Sequence, residues 1–235
     1  MAQSLEVSIF MIQTCTYGDE RQLAYCAFCG GETGTRDHCP SRVLLDEPYP
    51  ENLPVVPACA DCNSSFSADE EYLACLIACV LAGSTDPSKI SRPKIRRILT
   101  ESPALRTRLE RARVESSGRV VFKPEDERIS KVVIKLAKGH ALYELHEPCP
   151  EAPDGISFVP LELMSESERN DFEFPMASAG WPEVGSRALQ RLVVEGETPW
   201  LVVQSGMYRY HASTESRPSI RLVINEYLGC HVSWD

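Results

Sequence analysis

The sequence predicts an α+β fold, in which a metal-stabilised, cysteine-rich block is followed by a helical segment and a C-terminal antiparallel β unit. Two Cys-x-x-Cys pairs lie near the start, segments with helical periodicity follow, and the last third consists of short apolar runs separated by turn residues. We divide the chain into residues 1–83, which include an N-terminal extension of residues 1–24, a partly basic helical segment 84–147, and a mainly β region 148–235.

The cysteine-rich block places four thiols where one zinc ion could bind. Cys26 and Cys29 form the first pair, and Cys59 and Cys62 form the second. Four thiolates make the tetrahedral site that structural zinc prefers. The 29 residues between the pairs exceed the usual spacing of about 15–20, which indicates that this insertion carries a function of its own. A redox pair is the alternative, but it needs a neighbouring βαβ unit, and the sequence predicts none.

Composition indicates a globular, cytoplasmic protein. The chain has 235 residues, of which 43% are hydrophobic and 25% are charged. The apolar run at residues 73–82 is half the length of a bilayer-spanning helix, which needs about 20 residues, so no membrane contact is expected. The N-terminus lacks a basic stretch before its apolar residues, and no secretory signal is predicted. The other cysteines are therefore expected to be mostly buried free thiols.

The net charge of −10 argues against a protein that coats nucleic acid non-specifically. Residues 88–113 differ, because they contain nine Lys or Arg against two Glu. Apolar residues at helical spacing predict two short helices there, beginning near Pro93 and Pro103. The basic side chains fall on the opposite faces. Such faces are usually solvated surface, and phosphate contact is the alternative.

Two longer helices are predicted on either side of this basic segment. Ser67 and Glu70 match a capping box and Gly83 is a typical helix stop, so the first helix lies between them. The second helix covers residues 126–147. His140 lies on its apolar side, where a lone histidine is expected to be a packed core residue rather than a ligand.

The C-terminal region is predicted to form strands after a Pro- and Gly-rich loop at residues 147–155. Ser205-Gly206 is typical of a hairpin turn. The candidate strands there are 156–159, 191–195, 200–204, 207–212, 220–226 and 229–234. Elsewhere, residues 7–12 and 119–123 are candidate strands, and residues 42–45 and 53–56 are short β segments or loop edges.

The insertion between the cysteine pairs contains the residue types of a hydrolytic site. Asp37 offers a hard oxygen ligand for Mg²⁺-like ions. His38 has an ordinary pKa near neutrality and can take a proton from an attacking water. Asn63 directly follows the last cysteine, so a bound zinc would fix its position and its amide oxygen could be a second ligand.

Asp37-His38, Asn52 fourteen residues after His38, and Asn63 after the second cysteine pair together resemble the HNH endonuclease motif. The resemblance is to the Asn-ended variant with zinc-binding cysteines, and it covers roughly residues 26–75. It implies a ββα-metal fold, two strands and a helix around one divalent ion, and a metal-dependent nuclease that hydrolyses phosphodiester bonds in DNA. RNA stays open as a substrate.

The resemblance also implies a role for each residue of the motif. His38 would be the general base, and Asp37 and Asn63 would hold a catalytic Mg²⁺ or Mn²⁺. Asn52 would brace the loop between the strands and so help to orient His38. The four cysteines of the two pairs would hold structural Zn²⁺.

One departure concerns phosphate binding. Many zinc-bearing members carry a Lys shortly after the final Asn, whereas this chain has Ser64, Ser65 and Phe66. Arg36 and Arg42 are the nearest basic side chains and could contact phosphate. The acidic run at residues 69–71 is expected to supply favourable charge at a helix N-terminus, with metal tuning by Glu70 as the alternative.

Two further functions compete with the nuclease. A non-catalytic zinc module could bind nucleic acid or a partner protein, but it would need only the cysteines and not the Asp, His and Asn set. A thiol redox protein would need accessible cysteines of low pKa. Region 148–235 could serve as a specificity domain, a homodimer surface or a docking site for a partner protein.

Overall fold

The computed structural model describes residues 24–116, 119–175, 180–196, 200–214 and 217–234. The candidate strand at residues 7–12 and Cys15 lie outside these ranges. Within them the predicted α+β fold is confirmed: helices combine with antiparallel sheets, of which the largest is a C-terminal sheet of five strands.

The cysteine-rich block folds as a β-hairpin followed by a helix. β1 (Thr35–His38) pairs antiparallel with β2 (Val55–Ala58), and α1 (Ala60–Ser65) begins two residues after β2. Of the two segments expected as β segments or loop edges, 53–56 contributes to β2, whereas the other forms a 3₁₀ turn, Arg42–Leu44. The ββα order predicted from the motif is therefore present in the fold.

Helix α2 (Ser67–Ala82) is the buried centre of the N-terminal half, and it ends as predicted at Gly83, whose φ is 61°. The predicted capping box is wrong. Phe66 is the N-cap residue and makes no side-chain cap, while Glu70 turns inward to contact Ser41. A partner 29 residues away in sequence thus replaces the local cap.

The middle segment contains the two predicted short helices, α3 (Pro93–Glu101) and α4 (Pro103–Ala112), each with proline in its first turn. A 3₁₀ turn, Pro87–Lys89, precedes them. A hairpin of β3 (Arg113–Ser116) and β4 (Arg119–Phe122) follows. β4 confirms the predicted strand, but β3 was not predicted because the helical pattern continues into its first residues.

The second long helix is confirmed over most of its predicted length. α5 (Asp126–His140) continues directly as a π-helical turn, Ala141–Leu145, and the chain leaves it at His146 with a φ of 60°. A non-glycine residue in this left-handed conformation is uncommon. The whole element is buried along residues 135–145.

Five strands form the C-terminal sheet: β5 (Gly155–Pro160), β6 (Leu201–Gln204), β7 (Tyr208–Thr214), β8 (Pro218–Ile224) and β9 (Leu228–Ser233). Their spatial order is β5-β9-β8-β7-β6, and every neighbouring pair is antiparallel, as predicted. The predicted turn at Ser205-Gly206 joins β6 to β7, and Gly206 has a φ of 73°.

The predicted strand at residues 191–195 is wrong, because these residues belong to a helix, α7 (Arg187–Glu195). Ser186 caps it by accepting a hydrogen bond from the backbone N–H of Leu189 at 3.1 Å, and Gly196 ends it with a φ of 82°. A 3₁₀ turn, Leu161–Leu163, and helix α6 (Glu166–Glu173) were not predicted either, although α6 begins with a capping box.

One hydrophobic cluster connects the helices to the sheet. α2 packs on α5, and α5 packs on β8 and β9. Leu73, Leu136 and Leu222, one from each layer, are fully buried in this cluster. A smaller cluster that includes Phe28, Val56 and Leu142 fixes the zinc-site hairpin to the π-helical turn. None of the described helices is long and apolar enough to cross a bilayer.

Candidate active site and zinc centre

The four cysteines of the two pairs come together in one cluster that could bind a structural metal ion such as zinc. Their sulfur atoms all lie within 4.8 Å of one another, and Cys29 Sγ lies 3.9 Å from Cys59 Sγ. Tetrahedral zinc with Zn–S bonds of 2.3 Å requires S···S separations of about 3.8 Å. The donor set and its dimensions therefore fit zinc.

The electrostatics at this cluster favour a thiolate on Cys26. Burial opposes ionisation, but hydrogen bonds with the backbone of Cys59, Phe28 and Cys29 outweigh it and lower the pKa of the Cys26 thiol to about 7. Burial raises the pKa of Cys62. Zinc binding requires the deprotonated form, so the backbone prepares one ligand.

The zinc cluster also positions Asn63. Cys59 is the N-cap of α1, its Sγ accepts a hydrogen bond from the Cys62 backbone N–H, and its carbonyl accepts one from the Asn63 backbone N–H at 3.0 Å. Asn63 therefore lies in the first turn of α1, held to the second cysteine pair by main-chain hydrogen bonds.

The orientation of the Asn63 amide follows from its partners. Its Nδ2 donates to Thr35 Oγ1 at 3.0 Å and to the Arg36 carbonyl at 3.2 Å. Thr35 Oγ1 itself donates to the Ala58 carbonyl at 2.9 Å, so towards Asn63 it can only accept. Because both groups on β1 are acceptors, the NH₂ end must face β1, and the amide oxygen is the atom that can bind a cation.

Asp37 forms a buried ion pair beside this contact. Lys135 of α5 lies with its Nζ 2.7 Å from Asp37 Oδ2, and the same ammonium contacts Glu70 and donates to Ser41 Oγ at 3.0 Å. The Lys135 side chain is only 1% exposed and that of Asp37 is 12% exposed. Because Oδ2 forms the ion pair with Lys135, Oδ1 is the Asp37 oxygen that is left to bind a further cation.

The environment of Lys135 keeps it charged. Burial disfavours the ammonium, but the carboxylates of Glu70 and Asp37 outweigh burial and raise its pKa. The rings of Phe28 and Phe66 lie 5.5 Å from Nζ and complete its surroundings. The two carboxylates bring two formal negative charges against the one positive charge of Lys135.

His38 ends β1 opposite Val55 of β2, and it is partly buried. Burial and the positive charge of Arg42 lower the pKa of its imidazole, Asp37 opposes this, and Lys135 adds to it. The ring is therefore neutral at pH 7 and able to accept a proton. Its Nδ1 is buried, so Nε2 is the nitrogen that can face a substrate.

The other predicted site residues lie around the hairpin. Asn52 is in an exposed turn two residues before Pro54, whose carbonyl accepts a hydrogen bond from Cys39 N–H at 2.9 Å. The bracing role of Asn52 stays a prediction. Arg36 is exposed on β1, and Arg42 is exposed with its guanidinium 5.4 Å from the Tyr49 ring centroid.

Sequence reasoning missed Lys135 and Ser41. A signal for Lys135 was present, because it falls between Val132 and Leu136 on the apolar side of α5. A lysine at such a position requires a buried partner of opposite charge. Its partners are more than 60 residues away in sequence, and no local pattern identifies them.

Within the described residues, the expectations for His140 and for the cysteines outside the two Cys-x-x-Cys pairs are confirmed. His140 is fully buried, its Nε2 lies 2.9 Å from the Tyr208 hydroxyl, and its ring stacks on Tyr210 at 3.7 Å between centroids. Five cysteines outside the zinc cluster are buried free thiols: Cys39, Cys75, Cys79, Cys149 and Cys230.

Comparisons with known proteins return no counterpart. No family model matches the chain, and neither a curated protein nor a solved structure matches it. The functional interpretation therefore rests on the residues of this site and their geometry.

Proposed function

We propose that this protein is a metal-dependent endonuclease of the HNH type that hydrolyses phosphodiester bonds in DNA. One observation carries the proposal: the ββα unit brings the Asn63 side chain onto β1, where it bonds Thr35 and the Arg36 carbonyl, the two residues that precede Asp37-His38 in the strand, and α1 ties Asn63 to the second cysteine pair. A zinc module without catalysis would need the cysteines only.

Asp37 and Asn63 would hold a divalent ion, Mg²⁺ or Mn²⁺, through Asp37 Oδ1 and the Asn63 amide oxygen. Oxygen donors of this kind are the ligands these ions prefer. The Asp37, Glu70 and Lys135 cluster carries one formal negative charge in excess, which a cation on the exposed side of Asp37 would offset. When bound, the ion would stabilise charge on the pentacovalent phosphate and on the leaving oxygen.

His38 would act as the general base. Its lowered pKa keeps the imidazole neutral at pH 7, and Nε2 would take the proton from the attacking water. Arg42 is exposed, its charge acts on His38, and it would contact the scissile phosphate. Zinc bound by the four cysteines would have a structural role and would hold α1 against the hairpin.

Cleavage of supercoiled plasmid in Mg²⁺ or Mn²⁺ tests the proposal. We expect wild type to cut, and His38→Ala to lose at least 10²-fold in rate, which is the usual contribution of a general base. Asp37→Asn and Asn63→Ala should also lower the rate and raise the metal concentration that is needed. His231→Ala, on β9 and outside the site, is the matched control and should cut like wild type.

Equal cutting by wild type and His38→Ala would contradict the role of His38. Absence of divalent-ion-dependent cleavage of DNA, with zinc bound at one equivalent, would favour the non-catalytic zinc module. RNA is offered in parallel reactions, and cutting of RNA alone would change the substrate but not the site. Titration of accessible thiols separates the nuclease and the zinc module from a redox protein. Cysteines that bind zinc would be masked from the reagent, whereas redox cysteines would react.

A further inference from the structure

A cleft of about 500 Å³ lies between the β1–β2 hairpin, the π-helical turn and the start of α7. Three basic side chains line it: Arg36, His146 and Arg187. None of the described residues that line the cleft is Asp or Glu. The chain has a net charge of −10, so a cleft that is lined by basic groups and by no carboxylate stands out from its surroundings. This composition is typical of an anion-binding site.

Arg187 is fixed in this cleft before any ligand arrives. Its Nη1 donates to the Tyr143 carbonyl at 2.7 Å, and its guanidinium carbon lies 3.8 Å from the centroid of the Tyr143 ring. Its Nε has no hydrogen-bond partner among the described residues. A stacked, planar guanidinium loses little further freedom when it binds a phosphate oxygen, so the site is pre-organised.

His146 adds a ring nitrogen whose hydrogen-bonding capacity is unused among the described residues. It leaves the π-helical turn in a left-handed conformation, and its Nδ1 has no partner in the described part of the chain. Burial and the charge of Arg187 lower the pKa of His146, against the opposing effect of Glu183, which does not line the cleft. π-Helical turns are rare and are frequently found at functional sites.

Arg36 connects the cleft to the candidate active site. Side chains alternate along a strand, so Arg36 and His38 share one face of β1, opposite the face from which Thr35 contacts Asn63 and Asp37 contacts Lys135. Two strand residues span about 6.6 Å. A nucleic-acid strand with one phosphate at His38 can therefore place a neighbouring phosphate at Arg36.

We propose that this cleft binds a phosphate group of the nucleic-acid strand next to the bond presented to His38, with Arg187 and Arg36 as its ligands. The inference rests on the proposed function, because it assigns a second binding position to the same substrate. It also supplies the phosphate contact that the chain lacks after Asn63. Inorganic phosphate or a free nucleotide has the same chemistry, and the test separates these sources.

Oligonucleotide binding at a series of salt concentrations tests the inference. The His38→Ala protein, without added divalent ion, is the parent, and fluorescence anisotropy of labelled DNA and RNA reports affinity. The logarithm of the association constant falls linearly with the logarithm of the salt concentration. Each phosphate contact that is lost makes this slope less steep by about 0.7–0.9. We expect that decrease for Arg187→Gln and for Arg36→Gln, with affinity weakened equally for unrelated sequences.

Lys123→Gln is the matched control, since it removes one positive charge from an exposed side chain outside the cleft and should leave the slope unchanged. Arg36 is exposed, so its variant remains informative if Arg187→Gln melts early. Equal slopes for parent and both arginine variants overturn the inference, and metal-dependent cleavage by wild type would then still support the nuclease.

Two more outcomes are decisive. A slope that falls in the arginine variants while wild type cuts no nucleic acid supports the cleft and contradicts the nuclease. Oligonucleotides that do not bind, while inorganic phosphate or a nucleoside monophosphate raises the melting temperature of the parent but not of Arg187→Gln, would show a site for free phosphate and overturn the assignment to a strand.

Discussion

Lys135 has a side chain that is 1% exposed and touches carboxylates from two other elements. Removing one partner of a buried ion pair leaves an uncompensated charge, which costs about 3–5 kcal/mol. We therefore expect Lys135→Met to lower the free energy of unfolding in urea by about that amount. Lys131→Met, on the exposed side of the same helix, should change it by less than about 1 kcal/mol.

We attribute the expected loss of stability in Lys135→Met to unpaired charge rather than to lost packing, and a double variant separates these two causes. Replacing Glu70 by Gln together with Lys135→Met removes one of the two stranded carboxylates. Part of the lost stability should then return. A double variant less stable than Lys135→Met alone would contradict the electrostatic explanation.

His140 makes stability depend on pH. Burial lowers the pKa of its imidazole from 6.5 to about 3, so the unfolded chain binds a proton that the folded chain refuses. Stability is then lost as pH falls below 6.5, progressively down to about 3. For this group alone we expect a loss of about 2 kcal/mol between pH 7 and pH 5.

His140→Phe tests this dependence, because Phe keeps a ring on Tyr210 but cannot titrate. The variant loses the bond to the Tyr208 hydroxyl and should be less stable at every pH. Its loss of stability between pH 7 and pH 5 should be smaller than that of wild type by about 2 kcal/mol. Identical pH dependences would show that His140 is protonated in the folded protein.

At the scale of elements, the β1–β2 hairpin and α1 share only a small hydrophobic cluster, and the four cysteines are a second contact between them. The hairpin has only four residues in each strand, and α1 has six residues, none of them buried. Two-stranded hairpins and helices of that length are marginal alone. We therefore expect a metal bound by the four cysteines to hold α1, and with it Asn63, against β1.

We expect Cys59→Ser to lose zinc and to unfold this block, because structural zinc contributes folding free energy directly. Zinc content by mass spectrometry and the melting temperature are the measurements. Cys75→Ala is the control, since Cys75 is buried in α2 outside the cluster and should keep one equivalent of zinc. Retained zinc and unchanged melting in Cys59→Ser would contradict the four-thiolate site.

Across the whole molecule, one hydrophobic cluster includes α2, α5 and the C-terminal sheet. The helices and the sheet should therefore unfold together. Far-UV circular dichroism follows the helices. Tryptophan fluorescence follows the sheet, because Trp200 directly precedes β6 and Trp234 is buried after β9, whereas the third tryptophan, Trp181, is exposed and should change little on unfolding. We expect coincident transitions in urea.

Leu136→Ala should shift both transitions equally, with a cost of about 2–5 kcal/mol, because Leu136 is fully buried in that cluster. Leu163→Ala is the control, since Leu163 is 70% exposed. Separate midpoints, or a shift confined to one signal, would show that the two halves fold independently.

Prediction from sequence succeeded where the signal is local. The proline starts of α3 and α4, the stop at Gly83 and the turn at Gly206 each depend on the backbone preferences of one residue. It failed where a distant partner decides. Glu70 matched a helix-capping pattern, but in the structure it pairs with Lys135. The Leu-Val-Val run in α7 resembles a strand unless the helix caps at Ser186 and Gly196 are recognised.

The sequence by itself determined which chemical groups are available at the candidate site. The two Cys-x-x-Cys pairs specify a four-thiolate cluster, and Asp37, His38 and Asn63 supply the oxygen and imidazole groups of the proposed hydrolytic site, because ligand type follows from residue type. Only the tertiary structure decided the surroundings of those groups. Lys135 and Arg187 reach the hairpin from α5 and α7, and burial and charge at such contacts depend on packing between distant segments, which no local pattern records.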